Sequence, residues 1–174
     1  MMIVLGIDPG TAITGYGVVK TDGRNSLKVL GFGALRTPAK QSPDQRLMTI
    51  YELVSELLRE FAPDWMAVEQ LFFNRNVSTA LSVGQARGVT ILAAAHQAIP
   101  VAEYTPLQVK QAVTGQGRAP KDQVGYMVRL LLNLPEVPTP DDVADALAVC
   151  ICHAYMGQGW GVMANDRYAA GKPR

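Results

Sequence analysis

Ile3-Val4-Leu5-Gly6-Ile7-Asp8 is an apolar run closed by Pro9-Gly10, the pattern of a buried strand that ends in a turn. Thr14 to Lys20 and Lys28 to Leu35 are β-type stretches with the turn signal Asp22-Gly23 between them, so the three segments predict an antiparallel meander. Ser42-Pro43-Asp44-Gln45 supplies an N-cap, a proline at N1 and a capping-box glutamine at N3. Behind it Leu47, Ile50, Tyr51, Val54, Leu57, Leu58 and Phe61 recur at helical spacing, and Pro63 ends that helix. Trp65 to Glu69 reads as a second core strand. Ser78 to Ala98 predicts a long helix rich in Ala, Ser and Gly, whose Gly84 and Gly88 permit close backbone approach in the core or in a dimer. Ile99 to Tyr104 is strand-like, and Thr105-Pro106-Leu107-Gln108 repeats the capping-box pattern. Residues 115–120 form a basic, glycine-rich loop before a helix from about Lys121 to Leu132. Pro135, Pro138 and Pro140 mark an extended connection into a last helix from about Asp141 to Met156. Three strands followed by strands alternating with helices predict one α/β domain with a mixed sheet over residues 1–156. Residues 157–174 read as a flexible C-terminal tail.

Composition narrows the class. At 174 residues with 48% hydrophobic and 18% charged side chains, the chain supports one well-packed core and excludes disorder or a disulfide scaffold. No run approaches the roughly 18 apolar residues of a membrane span, and the N-terminus lacks a signal peptide's basic start and cleavage site. Cys150 and Cys152, two apart on a helix, point away from each other, which predicts reduced thiols and a cytoplasmic location. The net charge of +1 hides an asymmetry. Residues 1–69 carry seven basic and eight acidic side chains and residues 122–174 carry four and six, whereas residues 70–121 carry Arg75, Arg87, Lys110, Arg118 and Lys121 against Glu103. That segment reads either as a solvated face or as a basic surface for a polyanion.

Three acidic features occupy positions where acids are least expected. Asp8 and Glu69 end apolar strands, and Asp142 and Asp145 lie three apart at the start of the last helix, where both can face one point. Strand ends of an α/β sheet open on the crevice where such sheets bind ligands. Four converging carboxylates repel one another without a cation, and oxygen donors suit Mg²⁺ or Mn²⁺. Two such ions would clamp the attacking and leaving oxygens of a phosphodiester. Each acid also has a structural reading: Asp8 as a turn former, Glu69 as a strand-end surface residue, Asp141 and Asp142 as acids favoured in a helix's first turn. Spacing leaves open whether Asp141 or Asp142 partners Asp145. The run Gly6-Ile7-Asp8-Pro9-Gly10-Thr11 with Gly15-Tyr16-Gly17 also suits a nucleotide phosphate, as in an actin/Hsp70-like lobe. That fold clamps its nucleotide between two lobes, and this chain has the length of one.

These stretches, with Ala67-Val68-Glu69-Gln70, Phe72, Gly84-Gln85-Ala86-Arg87-Gly88, Tyr104, Gln108-Val109-Lys110-Gln111 and Asp142-Val143-Ala144-Asp145-Ala146-Leu147-Ala148, run in order from residue 6 to about 150. In them the chain resembles the RuvC family of crossover junction endodeoxyribonucleases, which resolve Holliday junctions and share an RNase H-like fold. The resemblance implies that Asp8, Glu69, Asp142 and Asp145 bind two Mg²⁺ or Mn²⁺ ions. It implies that Phe72 stacks on bases where the junction opens, and that Lys110 and Lys121 act near the scissile phosphate, with Arg118 on the loop between them. Arg75 and Arg87 complete the expected DNA contacts. It further implies a homodimer, paired symmetric nicks in four-way junction DNA leaving 5′-phosphate and 3′-hydroxyl ends, a short T-rich cut site, and a RuvA–RuvB branch-migration partner. The rival functions are the nucleotide-binding lobe and a junction-binding module without catalysis. His96, His153, Trp65 and Trp160 read as packing or surface residues, and the two cysteines lack metal-site spacing.

Overall fold

The structure is a computed structural model that describes residues 1–22, 26–71 and 77–157. Ten elements follow in the order β1 (Met2–Asp8), β2 (Ile13–Thr21), β3 (Leu27–Arg36), α1 (Pro43–Phe61), β4 (Trp65–Glu69), α2 (Val77–His96), β5 (Val101–Tyr104), α3 (Pro106–Thr114), α4 (Lys121–Leu131) and α5 (Asp141–Met156). The five strands form one mixed sheet in the order β3-β2-β1-β4-β5. β1, β2 and β3 are antiparallel neighbours, as the meander pattern predicts, with a register irregularity at Val18/Val19. β4 lies parallel to β1, with Ile7 opposite Val68, and β5 lies parallel to β4. Asp8 and Glu69 therefore emerge side by side at the same end of the sheet.

Alternation along β1 sorts its residues onto two cores. Val4 faces a core built with Val109, Val128, Leu147 and Ile151 of α3, α4 and α5. Leu5 and Ile7 face another, built with Ile50, Val54 and Leu58 of α1 and Ala86 and Ala93 of α2. Both capping boxes form: Gln45 accepts from the Ser42 N–H, and Gln108 accepts from the Thr105 N–H at 2.8 Å. The end of α1 differs from the expectation in one detail. Ala62, in the left-handed region at φ 41°, closes the helix before Pro63 is reached.

α5 approaches β1 and β2 closely at three glycines. A Cβ at Gly15 would overlap the Asp142 carbonyl, one at Gly6 the Ala146 carbonyl and Cys150 Sγ, and one at Gly17 the Leu147 side chain. The Cys150 thiol bonds the Gly17 carbonyl at 3.2 Å, filling the space that the glycines leave. Between Val143 and Ala154 every residue of α5 is buried except Asp145. His153, an isolated histidine in the sequence, is fully buried: its Nδ1 is 2.7 Å from Tyr104 Oη and its ring stands 5.0 Å from that of Trp65. Burial pushes it down to about 4, so it is neutral. Gly84 and Gly88 do not serve the core in the same way. A Cβ would meet Leu71 Cδ1 at 3.8 Å in the first case and no atom within 4 Å in the second.

Gly15→Ala forces α5 away from β2, and the expected cost is about 1–3 kcal/mol or more, because the clash is with backbone and cannot be relieved by a rotamer change. Gly84→Ala gains up to ~1 kcal/mol of helix propensity. Urea unfolding of the two variants measures the contrast, and equal midpoints would contradict this packing.

Candidate active site

Asp8 is the last residue of β1 and Glu69 the last of β4, and strand alternation turns both toward α5. The loop after Asp8 is strapped down: Thr14 Oγ1 donates to the Gly10 carbonyl at 2.8 Å and Thr37 Oγ1 to the Thr11 carbonyl at 2.7 Å. The contact of the Asp142 carbonyl with Gly15, which pairs with Asp8 in the sheet, brings the first turn of α5 over the end of β1. The two adjacent acids of that turn divide. Asp142 is half-buried and its charge acts on Asp8, whereas the Asp141 side chain is 75% exposed and turned to Lys121.

Burial, and after it the charges of Asp145, Asp142 and Glu69, push the Asp8 carboxyl up to about 7, with Lys121 acting weakly in the other direction. Burial followed by the Asp145 charge raises Glu69 as well, against the pull of Lys110 and Lys121. Asp145 is raised by burial despite its bond to Lys121. The four acids thus form one mutually repelling set that the protein's own cations do not balance.

Two lysines border it. Lys110 of α3 and Lys121, the first residue of α4, line a cleft of about 160 Å³ with Glu69 and Asp145. Lys121 Nζ lies 2.9 Å from Asp145 and 3.3 Å from Asp141. Burial works to lower its amine, but the bond and charge of Asp145 outweigh that and hold it above its ordinary value. Arg118 is exposed on the loop before α4. Arg87, another expected DNA contact, is ion-paired. Its guanidinium is 2.7 Å from Glu103 of β5, with only 19% of the side chain exposed, so its charge joins α2 to the sheet and does not face solvent. Phe72 and Arg75, the turn residue Gly23, and the tail from residue 158 with Trp160 lie outside the described residues.

A divalent cation fits this set by donor chemistry and by charge: hard carboxylate oxygens at the open end of two strands, those of Asp8 and Glu69 raised in pKa by burial and then by neighbouring carboxylates. The carboxylates are not drawn into a finished coordination shell. Among the described residues no three His, Cys, Asp or Glu side chains are grouped closely enough to hold an ion as they stand, and Asp145 is occupied by Lys121.

The chain is similar to known proteins over nearly its whole length. The family model described as crossover junction endodeoxyribonuclease RuvC matches residues 4–153. A crossover junction endodeoxyribonuclease RuvC from Desulforamulus reducens is 58% identical over 160 residues, covering 92% of this chain and 98% of the relative. One from Moorella thermoacetica is 61% identical over 153 residues, 88% and 91% of the two chains. Among solved structures, Thermus thermophilus RuvC in complex with Holliday junction substrate superposes with a TM-score of 0.87 at 39% identity, covering 92% of this chain and 97% of that one.

The raised Asp8 carboxyl has a measurable sign. Between its ordinary value of 3.8 and about 7 the folded state keeps a proton that the unfolded state has released, so metal-free stability falls as pH rises through that window. Asp8→Asn removes the penalty, on the order of a few kcal/mol. In chelator the variant is expected to melt above the unsubstituted protein at pH 8, with the gap closing toward pH 4. Mg²⁺ at pH 8 should raise the melting temperature of the unsubstituted protein much more than that of the variant. A pH-independent gap would contradict the burial of a strained carboxyl there.

Proposed function

The chain belongs to the RuvC family of crossover junction endodeoxyribonucleases, metal-dependent nucleases, and from that premise we propose that Asp8, Glu69, Asp142 and Asp145 hold two Mg²⁺ or Mn²⁺ ions while the protein nicks four-way DNA junctions. The observation that carries the site assignment is the anionic cluster itself: four acids with charge in excess, at the ends of adjacent strands, beside two lysines. Bound ions would supply Lewis-acid stabilisation and a water of lowered pKa for in-line attack, leaving 5′-phosphate and 3′-hydroxyl ends. The protein's own part is to aim. Lys110, from the Glu69 side of the cleft, draws the phosphate oxygens in. Lys121 exchanges its Asp145 contact for the charge developing at phosphorus. Arg118, exposed on the preceding loop, holds a neighbouring phosphate, a contact that positions without reading sequence.

Phe72 as a base-stacking residue, Arg75 as a DNA contact and a short T-rich cut site follow from family membership. Paired symmetric nicks need two such centres, and the described chain has one carboxylate cluster, which supports a homodimer. A RuvA–RuvB branch-migration complex is the partner that the family implies. Free Cys150 and Cys152, with thiols that burial pushes up to about 12, suit the reducing cytoplasm, and none of the described helices is long and apolar enough to cross a membrane. The actin/Hsp70-like lobe is not favoured, because the relatives matched along nearly the whole chain are resolvases. A binding module without catalysis is not favoured either, since acids beside a phosphate weaken binding unless a metal uses them.

Strand-resolved nicking of a synthetic four-way junction and a linear duplex of the same sequence, in Mg²⁺, Mn²⁺ or chelator, tests this reading. Paired, metal-dependent nicks in the junction, absent with Asp8→Asn, are expected; cutting of both substrates alike would remove the junction selectivity. Lys121→Ala should slow cleavage about 10²-fold, the scale of losing one aimed charge in a site, with a far smaller effect on junction affinity. An unchanged rate would end its role at the phosphate.

A further inference from the structure

A second set of uncompensated cations lies on the other side of the catalytic loop. The charge sum of residues 1–69 conceals it, because Arg36, Lys40 and Arg46 cluster within eleven residues of the β3–α1 connection and are opposed there by Asp44 alone. The fold sets that connection against the loop that follows Asp8. Arg36 pairs with Ile13, the Thr37 N–H donates to the Ala12 carbonyl at 3.2 Å, and Thr37 Oγ1 donates to the Thr11 carbonyl. Between this connection, Thr11 and the first half of α2 runs a cleft of about 290 Å³, with Gln41, Arg46 and Gln85 beside Pro43 and Leu47 in its walls.

Among the described residues no acid lines this cleft, and the sequence of α2 contains none along its whole length. Two backbone carbonyls, those of Ala39 at 2.9 Å and Gln41 at 3.4 Å, hold the Arg46 guanidinium against the wall. Among the described residues no carboxylate pairs with Arg46, Arg36 or Lys40, in contrast to Arg87 and Lys121, which are both ion-paired. Asp44 stands outside the cleft, its carboxyl held below the usual range by a bond with Ser42. A fixed guanidinium, neutral amide donors and two exposed cations, open to solvent along one side, match a phosphodiester backbone in chemistry. The enclosure of a small-molecule pocket is missing.

We propose that this cleft is a second DNA-backbone site, taking the phosphates of the strand that runs from the scissile bond across the Pro9–Thr11 loop, with Arg46 as the central contact and Arg36 and Lys40 flanking it. The inference rests on the nuclease reading above, and it places phosphate contacts on both sides of Asp8: Lys110 and Lys121 on the α3–α4 side, Arg46 and Lys40 on the α1 side, with Arg36 at the end of β3.

Junction affinity measured in chelator across a range of salt concentrations tests it, since cleavage then plays no part. Replacing Arg36, Lys40 and Arg46 together by Gln should weaken binding and lower the steepness of log Kd against log salt by up to about 3, roughly 0.9 for each phosphate that is no longer neutralised. Because Arg46 also bonds Ala39 and Gln41, Gln41→Glu is the second arm. It keeps an acceptor for Thr49 Oγ1, which bonds Gln41 Oε1 at 3.3 Å, and puts a negative charge in the cleft without removing a bond of Arg46. It should weaken binding at low salt and lose that effect at high salt. If the unsubstituted protein binds junctions and both variants match it in affinity and salt slope, the second site is refuted. If the unsubstituted protein binds no junction, the nuclease reading fails and takes this inference with it.

Discussion

The contact of α5 with β1 and β2 is the constraint from which the rest of the site follows. A helix on a sheet is ordinarily held off by side chains of the sheet, but at Gly6 and Gly15 backbone carbonyls of α5 rest where Cβ atoms would be, and at Gly17 the Leu147 side chain does. The carbonyl nearest Gly15 belongs to Asp142, so the tightest point of the packing is also the point at which α5 delivers its acids to the strand end. Placement of this kind leaves little slack. The first turn of α5 cannot move outward without breaking a continuous buried face from Val143 to Ala154. It cannot move inward without colliding with the sheet.

That rigidity is maintained against a cost. Like charges brought to one place under partial burial oppose folding, and the raised carboxyls of Asp8, Glu69 and Asp145 record that opposition. A site that accepts such strain in the metal-free protein is prepared for a cation that relieves it. Lys121 takes part of the load from the edge, spanning Asp141 and Asp145 while the remaining acids stay unbalanced.

Much of this was legible in the sequence because the local signals agreed with one another. The capping boxes at Ser42 and Thr105, the prolines at N1 and the apolar strands closed by acids all gave elements close to their observed bounds. What was not legible depended on tertiary partners. The spacing of Asp141, Asp142 and Asp145 left the choice of acid open, and the rotation of α5 on its glycine track settles which one turns to Asp8. Arg87 looked like one cation among five in a basic segment until folding set Glu103 beside it. His153 gave no sign of its bond to Tyr104, 49 residues away in the chain. Segmental charge sums failed for the same reason in the opposite direction. Three cations in a segment whose charges nearly cancel are joined to the loop after Asp8 by the β2–β3 pairing and by Thr37.

The acids of this site and the exposed cations around it consequently sit on different parts of the fold. Asp8, Glu69, Asp142 and Asp145 belong to β1, β4 and α5, whose positions the core dictates; Lys121 starts α4, Arg118 lies on the loop before it, and Arg36 and Lys40 lie at the β3–α1 connection, where side chains extend into solvent. The division follows from what each group must do. A metal ligand has to hold its geometry while repelling its neighbours, and only a packed backbone can enforce that. A phosphate contact has to bring a polyanion toward an anionic centre, which needs charge summed along a path more than it needs accuracy at any one residue. Loss of Asp8 should therefore relieve the fold while abolishing chemistry, and loss of an exposed cation such as Lys40 or Arg118 should leave the fold nearly untouched while weakening capture. The opposing signs separate the two classes by measurement, without reference to any relative.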